Sequence, residues 1–322
     1  MSFWFIKSRR KGLAKRLRRS LIDYQSGPSE SKMIDVVELV KSVNETLNEE
    51  EFKRDDLPHI LNHKIYRDDT VSLLINSMPF FDQPALNSIS TLLQTTVREF
   101  QEESLPIYLI NNPEVLNRLL TFFQHPLVST VSHVLVRTCI KSEQFTRYLY
   151  QSGVVGSFVQ YLSGDSFDSL STSFTTYECM LMSHPHISAE FFNEMWQIFS
   201  IQFKQLMHSP NYLVQLTFLP ILYKFIVIEE ARLVFYLFLS DLESLQLIMT
   251  MLLSTSKKVQ SHAYSIFKLF VINPRKTEQI KSTLKANKSK LIKYLKDFKF
   301  DDGNQELEDE KVTVITTINN LK

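Results

Sequence analysis

Residues 165–181 read Asp-Ser-Phe-Asp-Ser-Leu-Ser-Thr-Ser-Phe-Thr-Thr-Tyr-Glu-Cys-Met-Leu. Within them Phe167, Leu170, Phe174, Tyr177 and Leu181 recur at spacings of three and four. That places all five on one face of a helix, whereas a strand would alternate apolar and polar residues. Gly164-Asp165-Ser166 ahead of the run combines a turn with residues able to cap the first free N–H groups. After the run, Ser183-His184-Pro185-His186 breaks the pattern. A second helix is predicted around Phe191, Phe192 and Trp196, and a third around Phe199, Phe203 and Leu206.

The same turn, helix, break, helix, helix order repeats on either side, with starts at His125, Asp165, Pro210 and Ser256. The third unit predicts helices over Tyr212–Val227, Ala231–Leu239 and Leu242–Leu253. The fourth carries Ala263, Ile266, Phe267 and Phe270, a break at Asn273-Pro274, a middle helix near Ile280, and a last one over Leu291–Phe298. Separations of 40, 45 and 46 residues fall in the armadillo/HEAT range. The expected fold class is therefore all-α, an armadillo/HEAT-like helical-repeat superhelix forming a curved rod with a concave binding face. Its clearest repeats are 125–164, 165–209, 210–255 and 256–298, inside a single helical-repeat domain over 33–322.

N-terminal to these repeats the pattern is less regular, with helices predicted near Lys11–Tyr24, Met33–Leu47, Val71–Pro79, Ala85–Phe100 and Val115–Phe123. Ser26–Ser31 and the acidic run Asp301–Glu310 read as loops, the latter leading into a short helix over Lys311–Leu321. Residues 1–32 form a basic segment, with Lys7, Arg9, Arg10, Lys11, Lys15, Arg16, Arg18 and Arg19 around Leu13, Leu17 and Leu21. The first reading is a capping helix whose leucines cover an open end of the stack. Contact with an anionic membrane, a targeting signal and nucleic-acid contact are the alternatives, in that order.

Forty-four per cent of the 322 residues are hydrophobic, enough for a large core, and the net charge is only +1. No global field marks a nucleic-acid binder. Six glycines in the whole chain argue against phosphate-cradling loops. No Walker A, G-x-S-x-G, G-x-G-x-x-G or paired C-x-x-C sequence occurs. His59 and His63 stand four apart without a third ligand, and His184 and His186 flank a proline in a turn. Glu49, Glu50, Glu51, Asp55 and Asp56 lack the spacing and glycine of a calcium loop. Cys139 and Cys179 each lie 14 residues into their unit, at equivalent positions, and read as small core residues. The expectation is a non-enzymatic, cytoplasmic protein without cofactor or metal.

The stretch from Ala263 to Thr277, AYSIFKLFVINPRKT, together with Ser209–Tyr212, Leu245–Met249, Ser166–Phe174, Ser188–Phe191 and Asp309–Lys311, resembles the calcium-binding protein 39 ("mouse protein-25") family. The similarity is best over 165–321. It implies a non-catalytic scaffold that binds a Sterile-20-type protein kinase or a STRAD-like pseudokinase and stabilises its active conformation. It also implies a pocket for a C-terminal Trp-Glu-Phe-type peptide, and relatives with roles in polarity and morphogenesis. No nucleic acid is expected as partner. The protein-binding positions carried over are Phe167, Tyr212, Met249 and Lys290. The chain departs from the family where an Arg and a Lys are replaced by Leu216 and Pro220, and where two lysines near the tail pocket become Gln246 and Ala286. Loss of those cations removes charge-assisted hydrogen bonds, implying a different kinase or a more apolar interface. A helix-interior proline at 220 predicts a kink there.

Overall fold

The computed structural model describes residues 10, 12–48, 56–100, 103–163, 167–299 and 305–321. Among them the regular structure is helical, without a strand, and the chain divides into two compact units, 1–152 and 153–322. The division falls within the repeat predicted over 125–164.

Unit 1 contains α1 (Leu13–Ser26), α2 (Glu30–Asn48), α3 (Leu57–Arg67), α4 (Thr70–Ser77), α5 (Gln83–Glu99), α6 (Leu105–Asn111), α7 (Pro113–Thr121), α8 (Ser129–Ile140) and α9 (Glu143–Gln151). The predicted N-terminal helices are present, and α3 and α6 are additions to them. Both open with Leu-Pro, where proline's missing N–H costs nothing in the first turn. Helices α2, α5 and α8 pack side by side in that order. The basic helix α1 lies on α2, α3 and α4, with Leu17 and Leu21 fully buried and Tyr24 donating to the Phe80 carbonyl at 2.9 Å. Its apolar stripe is thus consumed by the fold. Lys7, Arg9 and Lys11 lie outside the described residues.

On α8, Cys139 is fully buried, and burial pushes its thiol pKa up. His133 on the same helix is stacked on Phe123, ring centroids 3.8 Å apart. Burial first, and the Arg137 charge second, pull its imidazole down from 6.5 to about 3. In the unfolded chain this histidine takes a proton near its ordinary pKa, while the folded unit holds it neutral until far lower pH. Its stability contribution is therefore complete above about pH 6.5 and is lost as pH falls toward 3, by about 1 kcal/mol per pH unit. Comparing thermal unfolding of the wild type and His133→Leu at about pH 7 and pH 5 checks this. The wild type loses more stability on acidification than the variant.

Unit 2 repeats a three-part unit with high regularity. A short helix α10 (Val154–Ser157) and a 3-10 turn (Phe158–Leu162) precede α11 (Phe167–Met182), α12 (Pro185–Glu194) and α13 (Trp196–Met207). Next come α14 (Tyr212–Val227), α15 (Arg232–Ser240) and α16 (Leu242–Met251), then α17 (Lys257–Ile272), α18 (Glu278–Ala286) and α19 (Lys288–Asp297), and finally α20 (Gln305–Asn319). The long helices α11, α14 and α17 are each 16 residues and begin 45 residues apart. They stand in a row, α11 on α14, α14 on α17 and α17 on α20, with shorter helices packed behind them. Side-chain caps start the later ones, Asn211 accepting from the Leu213 N–H at 3.0 Å and Ser256 from Val259 at 3.4 Å. Cys179 on α11 is half-buried, unlike the fully buried Cys139, so the core place predicted for it is only partly reached.

One loop prediction fails. The acidic run Asp301–Glu310 is helical from Gln305 onward. Glu308 in the first turn and Asp309 just beyond it complement the positive end of the helix dipole, so these acids suit the start of the helix rather than interrupt it. The loop predicted over Ser26–Ser31 likewise shrinks to 27–29, because α2 already begins at Glu30.

Candidate partner-docking face

Helix α14, YLVQLTFLPILYKFIV, has only Gln215, Thr217 and Lys224 as polar residues. A helix so apolar is ordinarily covered on every side. Here α11 and α17 flank it and α13 and α15 lie against it, but one sector faces outward. Tyr212, Leu216, Pro220, Tyr223 and Val227 follow spacings of four, four, three and four, which holds them within a single stripe. Tyr212 is 56% exposed and Val227 44%; the three between them are half-buried. The corresponding positions are Phe167, Ser171, Thr175, Glu178 and Met182 on α11, and Lys257, Ser261, Ser265, Lys268 and Ile272 on α17. The apolar ridge on α14 therefore lies between positions that are mostly polar on α11 and α17, Ser171, Thr175 and Glu178 on one side and Lys257, Ser261, Ser265 and Lys268 on the other. Beside it the Lys224 ammonium meets Glu178 Oε1 at 2.7 Å, tying α14 to α11. A partly exposed apolar stripe of this kind is a candidate interaction surface.

Of the positions carried over from the family, Phe167 and Tyr212 open α11 and α14 at equivalent places in successive repeats. The Phe167 side chain lies outside the described residues. Met249 is half-buried on α16, and Lys290 is exposed on α19, so this pair belongs to the shorter helices behind the row. Leu216 and Pro220 both lie on the stripe. Helix α14 runs through Pro220 from Tyr212 to Val227, although proline offers no N–H to the Leu216 carbonyl. Gln246 and Ala286 are exposed on α16 and α18, two helices that touch.

A groove of about 1030 Å³ was not foreseen. It lies among the 3-10 turn, α13 and α16, with Leu206 and Val214 at its base and Ile201, Gln202 and Gln246 on its walls. Across its edge Lys204 Nζ reaches Asp241 Oδ1 at 3.2 Å and Glu243 Oε2 at 2.8 Å. Burial pulls the Lys204 pKa down, but hydrogen bonds and charge from Glu243 and Asp241 outweigh it and raise the net value. The partners are 37 and 39 residues away in sequence, one repeat on, so only the folded stack brings them together.

His59 and His63 have separate neighbours. His59 packs edge-on against Phe100, and His63 Nδ1 lies 2.5 Å from Glu103 Oε1. Among the described residues no three His, Cys, Asp or Glu side chains gather as a metal site would require. The acidic run at 49–56 lies outside the described residues except for Asp56.

Two stretches that carried the resemblance meet in space. Lys268 Nζ, within AYSIFKLFVINPRKT, contacts Glu310 Oε2 at 2.6 Å, and Tyr264 stacks on Phe298 with centroids 5.9 Å apart. Lys311, only 7% exposed, donates to the Phe298 carbonyl at 2.7 Å and pairs with Glu308. These residues fasten α20 to the end of the row.

Repeated helices in register, with an uncovered apolar ridge on one of them, define an all-α helical-repeat protein of the kind that presents a surface to other polypeptides. The chain belongs to the Mo25-like family, whose model matches residues 3–322. It is 29% identical to a "Mo25-like protein" of Schizosaccharomyces pombe over 269 residues, 83% of this chain and 82% of that one. A "Degreening-related gene dee76 protein" of Auxenochlorella protothecoides is 26% identical over 94% of this chain and 97% of its own length. The human "Calcium-binding protein 39-like" is 25% identical over 81% of this chain and 79% of that protein.

Proposed function

We propose that this chain is a non-catalytic cytoplasmic scaffold that docks a protein kinase or pseudokinase on the long-helix face of unit 2 and favours its active conformation. The carrying observation is the exposed stripe Tyr212, Leu216, Pro220, Tyr223 and Val227, in a chain of the Mo25-like family. A scaffold shifts its partner's equilibrium only by binding one conformation more tightly. Rigid helices side by side suit that role, because the face is preformed and little ordering entropy opposes docking. Leucine and proline at 216 and 220 select a partner whose matching surface is apolar rather than acidic, since a carboxylate placed there would be desolvated without a cation.

Affinity purification from the native cell tests this, with the wild type beside the double variant Tyr212→Ala and Leu216→Asp. A kinase-fold protein co-purifies with the wild type, and the variant recovers about tenfold less, the consequence of losing one anchor and burying one charge. Equal recovery by both, or no kinase-fold partner with either, overturns the proposal. The Trp-Glu-Phe-type tail belongs to the same proposal, with Met249 and Lys290 on α16 and α19 as its contacts.

A further inference from the structure

Helix α1 carries Lys15, Arg16, Arg18 and Arg19, all exposed, against one carboxylate, Asp23, which is 3.3 Å from Lys32 Nζ. Arg18 Nε donates to the Asp68 carbonyl at 2.8 Å; among the described residues Lys15, Arg16 and Arg19 meet no carboxylate. In a chain whose net charge is +1, this one helix holds a concentrated excess. Lys15, Arg19 and Ile22 follow spacings of four and three and so share the outward line of the helix, with Arg16 and Arg18 on its flanks. Ile22 is 43% exposed, whereas Leu13, Leu17 and Leu21 on the opposite face are buried under unit 1.

We propose that the outward face of α1 docks on anionic phospholipid surfaces, peripherally, while the helix stays folded on unit 1. Charge complementarity chooses the class of partner: unpaired cations on a convex helix gain most from a flat, laterally mobile layer of negative headgroups. Ile22 favours a bilayer over nucleic acid, since an aliphatic side chain ringed by cations fits the boundary between headgroups and acyl chains and gains nothing from a phosphodiester backbone. Burial of the leucines excludes deep insertion, because exposing them would strip α1 from α2, α3 and α4. This surface lies in unit 1 and stands or falls independently of the kinase reading.

The test is co-sedimentation of the full chain with phosphatidylcholine vesicles, with and without phosphatidylserine at about a third of the lipid. The chain pellets with the serine-containing vesicles only, and releases as salt rises and the Debye length contracts. The triple variant Lys15→Glu, Arg16→Glu and Arg19→Glu binds about a hundredfold more weakly with unchanged thermal unfolding, since all three side chains are exposed. Ile22→Ser weakens binding severalfold without altering its salt dependence. Equal pelleting of the triple variant overturns the proposal, as does absence of pelleting by the wild type. Displacement of the chain from vesicles by a short oligonucleotide held more tightly than lipid also overturns it, reassigning the face to nucleic acid.

Discussion

Phe192→Ala destabilises unit 2 by about 3–5 kcal/mol, the cost of a large aromatic side chain deleted from a packed core. Phe192 is fully buried on α12, stacked on Phe199 at 4.0 Å and set against Phe203 at 5.3 Å and Phe225 at 5.0 Å. Phe203 in turn meets Phe218 at 5.5 Å. One ring therefore joins α12, α13 and α14, which is the means by which one repeat is held to the next. A stacked array derives its stability from such junctions, so the loss also broadens unfolding into more than one step. Urea titration followed by circular dichroism reads both effects. Phe80→Ala, a change at a 61% exposed side chain, serves as control and shifts stability by less than about 0.5 kcal/mol. A loss below about 1 kcal/mol at Phe192 would mean that the junction is not packed as described.

Lys311→Ala detaches α20. The ammonium is buried, satisfied by the Phe298 carbonyl and Glu308, and its neighbour Glu310 is paired with Lys268, itself only 13% exposed on its side chain. Lys288 Nζ adds a bond to the Asn319 carbonyl at 2.5 Å. Removing Lys311 leaves a carbonyl without its charged donor and Glu308 without its cation, and takes away a packed aliphatic stem. The expected cost is about 2–3 kcal/mol. Because α20 is the last helix of the row, the cost appears locally, as faster amide exchange over residues 305–319 with the earlier helices little changed. Lys281→Ala, which breaks only the exposed pair with Glu278, costs about 0.3 kcal/mol and leaves exchange there unaffected. Uniform loss of protection throughout unit 2 would contradict this placement of α20.

The repeat was legible because its signals are local. Turn formers, caps and spacings of three and four announce α11, α14 and α17, and Tyr212–Val227 is predicted to the residue. What escaped depends on neighbours. An almost wholly apolar helix reads as core; only the positions of α11 and α17 reveal that one sector of α14 is left uncovered. Lys204 with Asp241 and Glu243 is invisible for the same reason, since the pair forms across a whole repeat. The acidic run before Lys311 misled because carboxylates are at home both in solvated loops and at helix N-termini, and composition does not separate the two. The basic segment had several readings, and burial of Leu17 and Leu21 decides how its leucines are used while leaving its cations outside.

The most direct test of the docking face is a photo-crosslinking amino acid placed at position 216 of the full chain in its native cell, beside a control at position 233 on α15, an exposed leucine away from the stripe. Position 216 is expected to capture peptides from the folded domain of a protein kinase or pseudokinase, and position 233 is not. Capture at 233 but not at 216, or capture at 216 of partners without a kinase fold, would contradict it.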